Sequence, residues 1–289
     1  MDFRLTPEQT GFAQSLTELM ARADSVAVAR AWAAGDTEPG LALWKRLSEQ
    51  GVTALALPED EGGLGGTPVD MVVAFEVLGH QLAVGPWIES AALAPQPEGE
   101  MVTVAVAPLA PYAVDADVAR LLHGTIGNEV RSIDTTRRLF SVDTHVLYGD
   151  TSLDRATLAC SAELLGCGER LLADSVEYAL QRKQYGRTIG SYQAIKHMLA
   201  DVRIALDFAR PLVHAATLNL TPRDVSAAKV AAGDAAYLAS RVALQVHGAI
   251  GYTAELDLGL WINRVRALVG AWGGSAYHRS RIADSLGAC

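Results

Sequence analysis

The chain has 289 residues, half of them apolar, and a formal net charge of −9 from 33 acidic and 24 basic residues. That much apolar material supports a large core, in one sizeable domain or two to three small ones, and excludes a disordered chain. The acidic balance, without any basic run, excludes a nucleic-acid surface or an anionic-membrane patch, so any phosphate must be met by a few placed arginines.

The first segment is expected to be helical. Thr6-Pro7-Glu8-Gln9 supplies a capping hydroxyl, a proline at the first helical position and a side chain able to reach back. Phe12, Leu16, Leu19 and Met20 form one apolar stripe at helical spacing, and Leu41, Trp44 and Leu47 another. Pro58 to Gly66 must be a loop, because four glycines in the five positions from Gly62 cannot hold a helix. Thr67-Pro68 restarts a helix through about Leu82, and the proline-rich stretch from Pro86 to Gly99 reads as a boundary.

The pattern then changes. Met101 to Ala107 is β-branched and alternating, and Thr125 to Ile133 and Arg138 to Val146 are short and strand-like. From Ser152 the helical period returns. Leu164, Leu165, Leu171, Leu172 and Val176 suit one long helix, His197 to Leu218 a second, and Ser226 to His247 an alanine-rich third. These stripes are expected to serve core and subunit interface. The expected class is α+β, mainly α: an N-terminal helical domain over 1–95, a reduced middle β-domain over 96–150 and a C-terminal helical bundle over 151–289.

Cys160, Cys167 and Cys289 are few, odd in number and without ligand spacing, so packed or surface thiols are expected rather than a disulfide framework or a zinc site. His197, His214, His247 and His278 likewise lack metal spacing with a carboxylate partner, and no metal site is expected. The start, Met1-Asp2-Phe3-Arg4-Leu5-Thr6-Pro7-Glu8, has no basic segment leading into an apolar one, and no apolar run reaches roughly 18 residues. The expected location is the cytoplasm.

Two C-terminal motifs carry chemistry: Arg182-Lys183-Gln184-Tyr185-Gly186-Arg187-Thr188-Ile189 and Gln245-Val246-His247-Gly248-Ala249-Ile250-Gly251-Tyr252-Thr253-Ala254-Glu255. An arginine at a helix end with a glutamine beside it offers charge-assisted hydrogen bonds to a pyrophosphate. Arg182 and Gln184 have that character, Tyr185 could pack on an adenine or ribose, and Gly186 lets the chain turn away. Gly248 permits close backbone approach, so amide groups rather than side chains can face phosphates.

These motifs resemble the paired C-terminal signature of flavin-dependent acyl-CoA dehydrogenases. Met1-Asp2-Phe3 with Glu8-Gln9, Leu43-Trp44 through Gly51, Leu57-Pro58-Glu59, Gly62 to Gly66, Arg137-Arg138-Leu139, Gln193 and Leu199-Ala200-Asp201 match the family in the same order, so the resemblance covers most of the chain. It implies that Arg182, Gln184, Tyr185, Gln193, Gln245, Gly248 and Ala249 contact the adenosine and pyrophosphate of an FAD whose ring sits in the neighbouring subunit. Ala249 stands where the family usually has a second glycine, adding a methyl group near the phosphates. Glu255 matches a family glutamate expected to fix its loop.

Two parts of the family pattern are missing. The Thr-Glu-Pro-x-x-Gly-Ser-Asp type loop that holds the flavin ring does not occur between Pro95 and Tyr148. The carboxylate that removes the proton next to the thioester carbonyl is absent from both customary positions, where Trp272 and Ala156 stand. Trp272 is large enough to fill an acyl cavity. Asp154, Glu163 and Glu169 lie nearby, with surface solvation or helix charge pairing as their expected role. The resemblance therefore implies a noncatalytic subunit of a heteromeric α2β2 acyl-CoA dehydrogenase, of the actinobacterial type that desaturates steroid side-chain CoA thioesters. Its partners would be a full-length subunit carrying substrate and base, and an electron acceptor. A flavin-free structural subunit and a self-sufficient dehydrogenase using Asp154 as base are the alternatives.

Overall fold

A computed structural model describes residues 4–96, 99–253 and 255–287. Met1, Asp2, Phe3, Ala254 and Cys289, which figure in the sequence motifs above, lie outside the described residues. Helix α1 (Pro7–Arg22) begins at the expected box, with the Gln9 amide donating to the Thr6 hydroxyl and the Thr6 amide to the Gln9 side chain. It buries Leu16, Leu19 and Met20. Helix α2 (Ser25–Ala33) and helix α3 (Glu38–Glu49) follow, and α4 (Pro68–His80) starts at a second box made by Thr67 and Asp70.

Two expectations change here. Leu41 is 40% exposed, and α3 turns Gly40, Leu43, Trp44 and Leu47 inward instead. The glycine-rich loop holds a short 3-10 turn, Glu59–Glu61. Within the stretch read as a boundary, Ile88–Leu93 forms a fully buried π-helical turn and Trp87 stacks on Trp44 at 3.7 Å. The prolines punctuate the chain, but the apolar residues between them belong to the core.

Among the described residues, the middle region holds five short strands. β1 (Val102–Thr103) pairs in parallel with β3 (Arg120–Leu121), while β2 (Ala113–Val114), β5 (Leu139–Val142) and β4 (Ile126–Val130) form an antiparallel sheet in that order. Val102 to Val106 is buried on both faces, so the alternation read from Met101 to Ala107 does not correspond to one wet and one dry side. Asp115 ties this region to the N-terminal helices: its Oδ1 accepts from the Trp32 indole at 3.2 Å and from the Arg138 amide at 3.0 Å.

One long helix, α5 (Asp150–Gln181), runs through the core, followed by α6 (Gln193–Ala216), α7 (Pro222–His247), α8 (Leu258–Gly270) and α9 (Ser275–Ser285). Leu164, Leu165, Leu171 and Leu172 are buried on α5, whereas Val176 is 39% exposed. Against α4 the approach of α5 is extreme: a Cβ on Gly79 would lie 2.1 Å from the Glu163 carbonyl oxygen, and one on Gly166 would lie 2.0 Å from that of Glu76. Only glycine allows such backbone contact.

A buried ionic centre joins three parts of the chain. Arg264 on α8, 2% exposed, donates to Asp134 at 2.6 Å, Glu163 at 2.7 Å, the Thr136 hydroxyl at 2.9 Å and the Ala83 carbonyl at 3.0 Å. Two carboxylates hold the guanidinium in its charged form, the direction opposite to that of burial alone. On α7, buried Lys229 donates to the carbonyls of Leu268, Val269 and Gly273, satisfying the orphan carbonyls at the end of α8. Cys160 and Cys167 are packed thiols, both pushed up by burial.

Candidate functional site

The last turn of α5 leads directly into the first motif. Arg182 leaves the helix in an extended conformation, its amide donating to the Tyr178 carbonyl at 2.8 Å. β6 (Lys183–Gln184) then pairs antiparallel with β7 (Arg187–Thr188) around a two-residue turn, Tyr185 at φ 50° and Gly186 at φ 79°. Two left-handed residues in succession make the type I′ turn that matches strand twist. The turn leaves Tyr185 94% exposed at its tip. Tyr192 braces the hairpin, its hydroxyl donating to the Gln184 carbonyl at 3.1 Å while the Arg187 guanidinium lies 4.0 Å over its ring.

The second motif ends α7. Gly248 sits at φ 64° and ψ −137°, a conformation open to glycine alone, with empty space in front of its α-carbon. The His247 ring, buried just before it, stacks on Tyr178 at 4.3 Å and donates from Nδ1 to the Ala243 carbonyl at 2.8 Å. A cleft of about 740 Å³ lies between the motifs.

Arg182, Gln184, Tyr185, Gln245, Gly248 and Ala249 all line this cleft. Gln193 does not: it is the exposed first residue of α6, beside the lining residues Tyr192 and Ala194. Tyr178, Tyr192, Ala194 and Ile195 line the cleft from outside the two motifs, while Ile189, His247 and Ile250 line it from within them without having been given a role in the sequence analysis. Among the described residues, no carboxylate lines the cleft and Arg182 is its one permanent cation. α6 begins here without a side-chain cap, so its first amides also point outward unpaired by side chains. In a chain of net charge −9, this acid-free pocket suits an anion bearing a flat apolar portion.

The customary carboxylate positions are apolar in space as well as in sequence. Ala156 is buried in α5. Trp272 is fully buried at φ 57°, its amide donating to the Leu109 carbonyl at 2.8 Å and its carbonyl accepting from His278 Nε2 at 2.9 Å. The other carboxylates are charge-paired: Asp154 with Arg281, Glu163 with Arg264, and Glu169 with Arg203 and Arg210. Asp154 lies within a bidentate pair, so it is not poised as a free base. Glu255 is exposed, and His197 lies on the surface of α6. No grouping of histidine, cysteine or acid suited to a metal occurs among the described residues.

Comparison with known proteins decides the family. Residues 6–96 match the acyl-CoA dehydrogenase N-terminal domain and residues 148–287 the acyl-CoA dehydrogenase C-terminal domain. The chain is 33% identical to acyl-CoA dehydrogenase IpdE2 of Mycobacterium tuberculosis, over 90% of this chain and 92% of that protein. The chain belongs to the acyl-CoA dehydrogenase family. The family is FAD-dependent and comprises oxidoreductases acting on CH-CH bonds. The fold is shared with a chain of the ChsE4-ChsE5 complex from Mycobacterium tuberculosis, at TM-score 0.80 and 20% identity over the whole of both chains. It is shared too with the Tcur3481-Tcur3483 steroid acyl-CoA dehydrogenase, at TM-score 0.84 and 19% identity over 97% of this chain and 98% of that one. No helix among the described residues is long and apolar enough to cross a membrane.

Proposed function

We propose that this chain is the shortened, noncatalytic subunit of a heteromeric acyl-CoA dehydrogenase, lending its cleft to the adenosine and pyrophosphate half of an FAD whose ring lies on a full-length partner. The observation that carries this reading is a contrast. Six residues of the two motifs converge on one acid-free cleft, while the position of the proton-abstracting carboxylate holds the buried Trp272. Arg182 and Gln184 would meet the pyrophosphate, the backbone at Gly248 would approach it, and Tyr185, exposed at its turn, would cover adenine or ribose. When bound, the flavin supplies the hydride acceptor for the acyl α,β-desaturation.

An exposed apolar stripe supports a partner. Ile204, Phe208 and Leu212 recur every four residues on α6 and are 53%, 75% and 43% exposed. Such a face is typical of a surface that another subunit covers. The steroid named for one of the similar complexes makes a steroid side-chain CoA thioester the substrate class we assign to the assembly, with the acyl chain and base on the partner and a separate acceptor taking the electrons. We place the assembly in the cytoplasm.

Coexpression with a full-length acyl-CoA dehydrogenase from the same genome tests this. One FAD per heterodimer is expected, with most of it lost in Arg182→Ala. A complex whose flavin content ignores Arg182→Ala would leave a purely structural subunit, and a yellow, active homo-oligomer would overturn the noncatalytic role.

A further inference from the structure

A second groove, of about 700 Å³, runs between α7 and α8. It meets the cleft at the Gly248–Tyr252 turn, where Ile250 lines the cleft and Gly251 and Tyr252 line the groove. On α8, Gly259, Ile262, Asn263 and Arg266 recur at helical spacing and all line it. On α7, Leu244 lines it, and Arg241 and Tyr237 lie one and two turns earlier on the same face. Leu256, Leu260 and Ile133 keep the rest of the wall apolar, and among the described residues no acid lines the groove.

Two arginines converge on one neutral hydroxyl at the end of this groove. Arg266 donates from Nη1 to the Tyr237 hydroxyl at 2.9 Å, its guanidinium 5.2 Å from the ring centre. Arg241 and Arg266, both donating toward that oxygen, hold the phenol below its usual range. Neither arginine forms an ion pair with a carboxylate among the described residues. Arg30, the other arginine lining the groove, differs: it donates to Asp257 at 2.7 Å where α8 starts, so the opposite end is already charge-compensated. A phenol supplies an acceptor without a charge. Two exposed guanidinium groups therefore stand uncompensated beside an apolar groove, in a chain of net charge −9.

We propose that this groove binds a soluble phosphomonoester with an apolar body, its phosphate held by Arg266 and Arg241 and its hydrocarbon part laid along Ile262, Leu260 and Leu244. A phosphomonoester carries about −1.5 to −2 charges at neutral pH on three acceptor oxygens, which matches two cations and their forks of donors. A monocarboxylate would answer one guanidinium and leave the other uncompensated. From Arg266 back to Gly259 the groove follows α8 for about 10 Å, room for a short alkyl chain or a single ring. Half-buried Asn263 lies along that run, and its side chain makes no hydrogen bond among the described residues, which leaves its amide for the ester oxygen. The groove shares no lining residue with the cleft, so it stands apart from the flavin reading.

Calorimetric titration of the full chain with hexyl phosphate tests the proposal. Hexanol lacks the charge, hexanoate has only part of it, and inorganic phosphate lacks the body. Saturable hexyl phosphate binding is expected, about tenfold tighter than any of these three. Arg266→Gln and Arg241→Gln, both at exposed positions that the fold tolerates, each weaken it about tenfold. Arg182→Ala, in the cleft, leaves it unchanged. Hexanol or hexanoate binding as tightly as hexyl phosphate, a loss in Arg182→Ala in place of Arg266→Gln, attachment to phosphatidic-acid vesicles without uptake of hexyl phosphate, or no saturable binding would overturn it.

Discussion

The Tyr178 ring lies against the His247 imidazole, centroids 4.3 Å apart and planes 27° from parallel, joining the last turn of α5 to the last residue of α7 beneath the cleft. Tyr178→Ala removes that floor. A loss of about 1–2 kcal/mol is expected from the stack and its packing. A urea titration reads the loss, and flavin retention by the heteromeric complex proposed above should fall with it.

Gly248→Ala isolates backbone strain from steric clash. An added Cβ meets nothing within 4 Å, yet φ 64° with ψ −137° suits no L side chain. A cost of about 1–3 kcal/mol is expected, visible as a lower melting temperature. Ala249→Gly, on the exposed residue next door, should change stability far less.

Arg264→Met tests the buried ionic centre. It would strand Asp134 and Glu163, both buried, without their cation. Breaking one side of such a group typically costs about 3–5 kcal/mol. The urea midpoint should drop accordingly. The triple variant Arg264→Met, Asp134→Asn, Glu163→Gln should recover part of the loss.

His278 and Glu89 make stability depend on pH in opposite senses. Burial lowers the His278 ring to about 4, where it donates to the Trp272 carbonyl and accepts from the Ser226 hydroxyl. Because protonation favours the unfolded chain, its contribution is complete above pH 6.5 and fades as pH falls toward 4, by up to about 3 kcal/mol. Glu89, raised to about 7, destabilises the fold once it ionises. Glu89→Gln should therefore stabilise the chain by up to about 3 kcal/mol at pH 8 and hardly at all near pH 4.5. Chemical denaturation across that range, with His278→Leu as the second variant, separates the two.

Much of this fold could be read from the residues in order, because capping chemistry and helical period are local. Thr6 with Gln9 and Thr67-Pro68 announced two helix starts, and the Tyr185-Gly186 turn sat within one motif. The cleft was legible residue by residue for the same reason: each half is a helix end with its following turn. What escaped depends on distant partners. Nothing local tells that Val102 to Val106 is covered on both faces, that Leu41 and Val176 face outward, or that Ile88–Leu93 plugs the core. Gln193 has the right residue type just after the first motif but is not among the residues that line the cleft. Glu89 falls in the stretch read as a boundary, and nothing local shows that it is buried.

The glycine seam between α4 and α5 has a mechanical consequence. With Gly79 and Gly166 each holding the opposite backbone at touching distance, the N-terminal helices cannot slide or rock against the C-terminal ones without a collision. Whatever docks on this chain meets a stiff chassis, and adaptation to the guest falls to the exposed hairpin around Tyr185.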